Sequence, residues 1–268
     1  QTCALPIYAG VATLRAVGVI PARLASSRFP NKPLMPIRGI PMVGHCFFRT
    51  RLALGGQNTF VATCDPAIVD YVESIGGHAV VTSTEHARAT SRTLEAVEVL
   101  EGRGDQCADV VVMVQGDEPL VMPEVVQLAL ESFVDPEVQI LNIVYSSTDQ
   151  EAIDDPNNVK VVIDRCGDAL YFSRAAIPRI WNQEYGHSAL IQTGVIAFRR
   201  EALFNFERLD ESDLERVESI DMNRVLDHGG RIRTLLSDVP FVGVDTPVEL
   251  ALVEDRLNSD PVFPLYSD

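Results

Sequence analysis

The sequence predicts an α/β fold, a parallel sheet layered by helices with a β-rich insertion, and three observations predict it. Through about residue 135, short apolar runs alternate with helix-spaced segments, the pattern of strands joined by crossover helices. One run, Asp109–Val114, is almost uninterrupted in apolar residues, as a central strand covered on both faces requires. Beyond it, four strand candidates follow one another with few helices between them.

In chain order, Val17–Ile20 reads as a buried strand that stops at Pro21. Pro21–Pro41 carries five prolines, too many for regular structure. It is a long loop, and long ordered loops in compact domains are often functional. Met42, Val43, Cys46 and Phe47 have helical spacing within Pro41–Leu54, and Pro41 suits a helix start. Phe60–Thr63 is the next strand. Asp65 is placed to cap a helix with Ile68, Val69 and Val72 on one face, closed by Gly76 and Gly77. His78–Thr82 is a third strand, Thr93–Leu100 a helix, Asp109–Val114 the central strand and Pro123–Phe133 a further helix. The β-rich candidates are Ile140–Ser146, Val159–Asp164, Ala169–Phe172 and Thr193–Arg199, and helices return at 201–207, 213–227 and 247–257. With no repeat or linker to divide it, residues 16–258 form one domain, β-rich at about 137–200. Residues 1–15 are an unassigned N-terminal extension and 259–268 a C-terminal tail.

The chain has 268 residues, 46% hydrophobic and 22% charged, enough to bury a core without metal or disulfide staples. A net charge of −16 argues against nucleic acid and anionic lipid as partners, since both need a basic footprint. Five scattered cysteines without a CxxC pair predict neither a disulfide framework nor a zinc site, and a cytoplasmic location is expected. No apolar run reaches a membrane span, and no signal peptide is expected at the N-terminus. The charge is uneven. No Asp or Glu precedes Asp65, while Arg15, Arg23, Arg28, Lys32, Arg38, Arg49 and Arg51 do. A basic N-terminal quarter in an acidic protein points to a local anion site.

Two kinds of segment carry the chemistry. The loop after the first strand, Ile20-Pro21-Ala22-Arg23-Leu24-Ala25-Ser26-Ser27-Arg28-Phe29-Pro30-Asn31-Lys32, lies where open α/β sheets bind ligands. Its guanidinium groups, ammonium and loop amides suit a polyphosphate. It is neither a GxGxxG nor a Walker loop, so dinucleotide and P-loop readings lose their support. Val114-Gln115-Gly116-Asp117-Glu118-Pro119 follows the central strand and sets a carboxylate at its edge. Gly243-Val244-Asp245-Thr246-Pro247 offers a second, Asp245, after a short strand; Asp245 alternatively caps the last helix. Carboxylates of this kind suit Mg²⁺, which takes one or two of them plus substrate phosphates.

These segments, with Asn157–Val162, Ala169–Arg174 and the GVDTP turn, stand in the order and spacing of the CMP-KDO synthetases, the 3-deoxy-manno-octulosonate cytidylyltransferases. The chain resembles that family over about residues 16–258. The resemblance implies a Rossmann-like mixed sheet of the nucleotide-diphospho-sugar transferase type, with the β-rich insertion serving dimerisation and the acceptor. It implies a homodimeric, Mg²⁺-dependent enzyme that moves CMP from CTP onto the anomeric hydroxyl of an acidic sugar and releases pyrophosphate. Arg23, Lys32, Asp117 and Asp245 would be catalytic, with Asp117 and Asp245 on the metal. Pro21, Ala22, Ser26, Arg28, Arg92, Gln115 and Gly116 would join Arg23 and Lys32 around the nucleotide. Gln115, Arg174, Gln192, Ile196, Asp221 and Met222 would face the acceptor.

The departures from the family pattern bear on specificity. Ala87-Arg88-Ala89 stands where the family has a Ser-Gly-Thr turn that helps read the nucleotide, so UTP or dTTP stays an alternative, and the extra Arg88 is free to meet another negative charge. Gln192 and Ile196 align with a His and a Tyr that face the sugar, and Met222 with a Gln. An acceptor other than KDO is therefore expected, whether an amino-KDO, another acidic sugar, or a small phosphonate or carboxylate. A catalytically silent sugar-nucleotide-binding homologue is the further alternative, disfavoured by retention of both aspartates. His45, His187 and His228 have no ligand spacing and read as packed or surface residues. Trp181 and Tyr185 line either the acceptor site or a dimer contact, and the acidic run Asp210–Asp221 reads as a solvated helix face.

Overall fold

The computed structural model describes residues 14–25, 29–104, 107–182, 184 and 188–267. Strand β1 (Ala16–Pro21) leads into a loop that is less irregular than its prolines suggest. A 3-10 turn at Lys32–Leu34 and a small hairpin, β2 (Pro36–Ile37) with β3 (Ile40–Pro41), interrupt it before helix α1 (Met42–Leu54). Then come β4 (Thr59–Thr63), α2 (Pro66–Ser74), β5 (His78–Val81), α3 (Ala89–Gly102), β6 (Val110–Val114) and α4 (Pro123–Glu131). The β-rich part holds β7 (Ile140–Ser147), α5 (Gln150–Asp154), β8 (Lys160–Ile163), β9 (Ala169–Ser173) and β10 (Ala189–Arg199). The chain closes with α6 (Arg200–Arg208), α7 (Asp213–Glu218), α8 (Met222–Asp227), β11 (Arg233–Ser237) and α9 (Pro247–Arg256).

The main sheet runs β11-β7-β10-β6-β1-β4-β5, with the β8–β9 hairpin attached through β10. It is mixed: β6, β1, β4 and β5 are parallel, β11 is parallel to β7, and β10 runs antiparallel between β6 and β7. Strand β6 is buried along its whole length, and its residues alternate between two cores. Val110, Val112 and Val114 pack with α1, α2 and α4, while Val111 and Met113 pack with α3, α6 and α8. Period-two alternation thus gives each face its own helical layer. A third, smaller core joins Ile37, Met42, Val242, Val244, Val253 and Leu257, with Phe29, Leu120 and Phe263 against it. It lies under the loops that carry the site.

Several expectations are corrected. Asp65 stands at the N-cap of α2, where its carbonyl accepts from the Ile68 and Val69 amides, but its side chain makes no cap bond; the carboxylate accepts from the Leu24 amide at 2.8 Å and pins the loop after β1 instead. The segment before Asp245 is irregular rather than a strand, and Thr246, not Asp245, caps α9 in a capping box with Glu249. Strand β11 goes unanticipated, because its pattern is half exposed at the sheet edge. The expected helix at 213–227 is broken into α7 and α8 at Ser219, whose φ of 54° is left-handed. The acidic run there is not simply solvated, since Glu215 is fully buried against Arg224. His45 is packed in the interior, in keeping with the reading given to it, whereas residues 260–266, expected as a tail, pack onto α1 through Asp260 and Tyr266.

Candidate active site

Three side chains from distant segments meet at one point. Lys32, in the turn after β1, donates from Nζ to Asp117 Oδ2 at 2.8 Å and to Asp245 Oδ1 at 3.1 Å. Asn31 turns the chain ahead of it in a left-handed conformation, φ 59°, which Asn tolerates better than most residues. Burial works to lower the Lys32 pKa, but Asp117 and Asp245 together outweigh it and raise it above the ordinary value of 10.5.

Close packing aims Asp117. Gly116 sits so near the end of β1 that a Cβ there would lie 3.0 Å from the Pro21 carbonyl. Glu118, buried, accepts from the Gly194 amide at 2.7 Å, and the Gln115 backbone amide donates to the Gly194 carbonyl at 2.9 Å. Gly194 lies where the pairing of β10 with β7 slips between Gln192 and Ile196. Asn142 Nδ2 fills that bulge by donating to the Thr193 and Val195 carbonyls. Burial, then the neighbouring Asp117, pushes the Glu118 carboxyl up to about 8. Glu118, Asn142 and Gly194 escape a sequence reading aimed at exposed chemistry; an acid beside Asp117 directly after an apolar strand is the signal for the first.

Two cavities open on either side of this point. One, about 360 Å³, is lined by Pro21, Ala22, Arg23, Lys32, Arg92, Gln115, Gly116, Asp117 and Asp245 among others. The other, about 740 Å³, is lined by Gln115, Asp117, Arg174, Gln192, Ile196, Asp221 and Asp245 among others. Most residues singled out in the sequence therefore converge. Arg92 is buried and donates to Thr82 Oγ1 and to the Ser83 and His86 carbonyls, so it shapes the first cavity's wall. Arg23 donates to the His86 carbonyl at 3.4 Å. Arg174 borders the second cavity, but Nε, Nη1 and Nη2 donate to the carbonyls of Glu218, Pro156 and Ser219. Its charge is turned into the wall. Met222 lines neither cavity and packs in the core beneath α8. Ser26, Arg28, Tyr185 and His187 lie outside the described residues.

Placed between two cavities, a cation held by two carboxylates can organise a phosphate chain on one side against an acceptor on the other. The donor set also fits a magnesium ion, since both carboxylates converge on a single positive charge and open to space for phosphate oxygens.

Comparison with known proteins agrees with this arrangement. The cytidylyltransferase family model matches residues 17–232. The 3-deoxy-manno-octulosonate cytidylyltransferase of Syntrophobacter fumaroxidans is 40% identical, across 93% of this chain and 99% of that protein. The 8-amino-3,8-dideoxy-manno-octulosonate cytidylyltransferase of Shewanella piezotolerans is 38% identical, across 90% and 98%. A solved structure of CMP:2-keto-3-deoxy-manno-octonic acid synthetase complexed with CTP superposes with a TM-score of 0.82 at 37% identity, covering 91% of this chain and 99% of that one. A match of this extent places the chain in the cytidylyltransferase family, beside the 3-deoxy-manno-octulosonate cytidylyltransferases, and makes it a nucleotidyltransferase.

Proposed function

We propose that this enzyme transfers CMP from CTP to the anomeric hydroxyl of a 3-deoxy-octulosonate and releases pyrophosphate. The observation that carries the reading is the Lys32 ammonium bridging Asp117 and Asp245 where the two cavities meet. The relatives that share this chain's length act, by their names, on KDO or on its 8-amino form.

Lys32 and Arg23 neutralise and orient the triphosphate in the smaller cavity, and Arg92 keeps the wall at 82–86 in place. Asp117 and Asp245 would hold magnesium, which when bound supplies further neutralisation of phosphate charge. Gln115, which lines both cavities, orients the acceptor against the nucleotide. The protein offers position and charge rather than a nucleophile of its own, which is what phosphoryl-type transfer asks of it. The larger cavity carries charges of both signs, Asp149, Asp155 and Asp221 beside Arg88, Arg174 and Arg256, a lining that suits an acidic sugar with or without an amino group. The exposed Leu170 and Trp181 of the β-rich part support a homodimer. Free cysteines at 46, 64, 107 and 166, and no described helix long and apolar enough to cross a membrane, support a cytoplasmic location.

Purified protein is incubated with Mg²⁺, each of the four NTPs, and KDO, 8-amino-KDO, other acidic sugars or phosphonates, while pyrophosphate is followed. Release with CTP and an octulosonate, KDO or its 8-amino form, is expected. Release only with another nucleotide or another acceptor class, or none at all, refutes the assignment.

A further inference from the structure

The wall that separates the two cavities is stitched together by side chains outside the reacting centre. Arg88 stands at the start of α3 and lines both cavities. Its Nη1 donates to Ser219 Oγ at 3.0 Å and to the Ser219 carbonyl at 3.3 Å, while Nε lies 3.8 Å from the buried Glu215. Two residues on, the buried Thr90 donates to Asp221 Oδ2 at 2.6 Å. One turn on from Arg88, Arg92 grips Thr82, Ser83 and His86 on the nucleotide side. The first turn of α3 is therefore fastened to the nucleotide pocket on one side and to residues 219–221 on the other.

Ser219 needs such fastening. Its left-handed backbone, φ 54°, is unfavourable for a residue with a Cβ, and it breaks the helix between α7 and α8 so that Ser219, Ile220 and Asp221 line the acceptor cavity. Two arginines reach its carbonyl, Arg88 from the α3 side and Arg174 from the β9 side. Both oxygens of Glu215 are already taken by Arg224, at 2.6 and 2.8 Å. The Arg88 hydrogen bonds go to Ser219.

We propose that Arg88 is a positioning residue for the acceptor: it holds the kink at Ser219 and thereby sets Asp221 in the acceptor wall, in register with the nucleotide pocket. This rests on the reading that the larger cavity takes the acceptor. The role is distinct from the neutralising role given to Arg23 and Lys32, although Arg88 also borders the smaller cavity.

Steady-state kinetics of Arg88→Met, with CTP and octulosonate varied separately, test it. The acceptor KM is expected to rise at least about tenfold, as loss of the two charge-assisted hydrogen bonds to Ser219 implies, while the CTP KM stays within about twofold. Adding Ser219→Gly, which accepts the left-handed backbone without help, should return the acceptor KM of Arg88→Met toward wild type. Thr90→Val, nearly isosteric, cuts only the second strap and should raise the acceptor KM alone even if Arg88→Met fails to fold. Equal rises in both KM values, an unchanged acceptor KM in Thr90→Val and in a folded Arg88→Met, or no rescue by Ser219→Gly overturns the proposal. Wild-type protein without octulosonate turnover overturns the reading beneath it instead.

Discussion

At the residue scale, one lysine answers to two aspartates. The Lys32 pKa is raised, so its ammonium persists through neutral pH. A raised lysine pKa contributes stability that is complete below the unfolded value near 10.5 and disappears as pH climbs through the folded value. The stability gap between wild type and Lys32→Met should accordingly stay level from pH 6 to 10 and shrink only above that, as urea unfolding would report. Turnover should fall by about 10²–10³-fold in the same variant, the loss seen when one preorganised donor is removed; a variant with near-normal kcat refutes the phosphate role. Asp117 was legible in the sequence because a charged residue directly after an apolar strand has few structural uses, and Lys32 and Asp245 because their segments match family motifs. The role of Arg174 was not, because a carbonyl acceptor leaves no mark in the sequence: its partners are backbone atoms of residues 156, 218 and 219.

At the element scale, the bulge in β10 aligns the chemistry. It exists because Asn142 satisfies two carbonyls that the slipped pairing with β7 leaves over. Gly194 then comes so close to the Gln115–Glu118 turn that a Cβ would lie 2.9 Å from Gln115 Cβ and Glu118 Cγ. Gly194→Ala should therefore cost about 1–3 kcal/mol, as overpacked sites do, and lower kcat by moving Asp117. A thermal midpoint and kcat both equal to wild type contradict this. The alternation of strands and helices in the parallel half, and the central place of β6, were readable from period, because a strand covered on both faces is nearly all apolar. The bulge, the edge strand β11 and the break at Ser219 were not. Each depends on tertiary partners (Asn142, β7 and Arg88) rather than on local pattern.

At the scale of the whole molecule, the third core links the site to the last described residues. Arg49, fully buried on α1, pairs with Asp260 at 2.6 Å and donates to Tyr266, whose hydroxyl also meets His45 Nδ1 at 2.8 Å. Phe263 packs on the same cluster as Ile37 and Val244, beneath Lys32 and Asp245. Burial, only partly offset by the Ile37 carbonyl and aided by Arg49, depresses the His45 pKa to about 4. A depressed histidine stabilises the fold above the unfolded value of about 6.5 and ceases to as pH falls toward 4, a loss of about 3 kcal/mol. Urea unfolding of His45→Gln should show a shallower decline over that window than wild type; parallel curves remove this contribution. If Asp117 and Asp245, 128 positions apart in the sequence, serve one triphosphate, a double-mutant cycle on kcat will show them coupled. Asp117→Asn and Asp245→Asn should each reduce kcat at least about 10²-fold, and the double variant should lose little more than either, as groups acting as a unit do. Additive losses, or one aspartate that proves dispensable, contradict it.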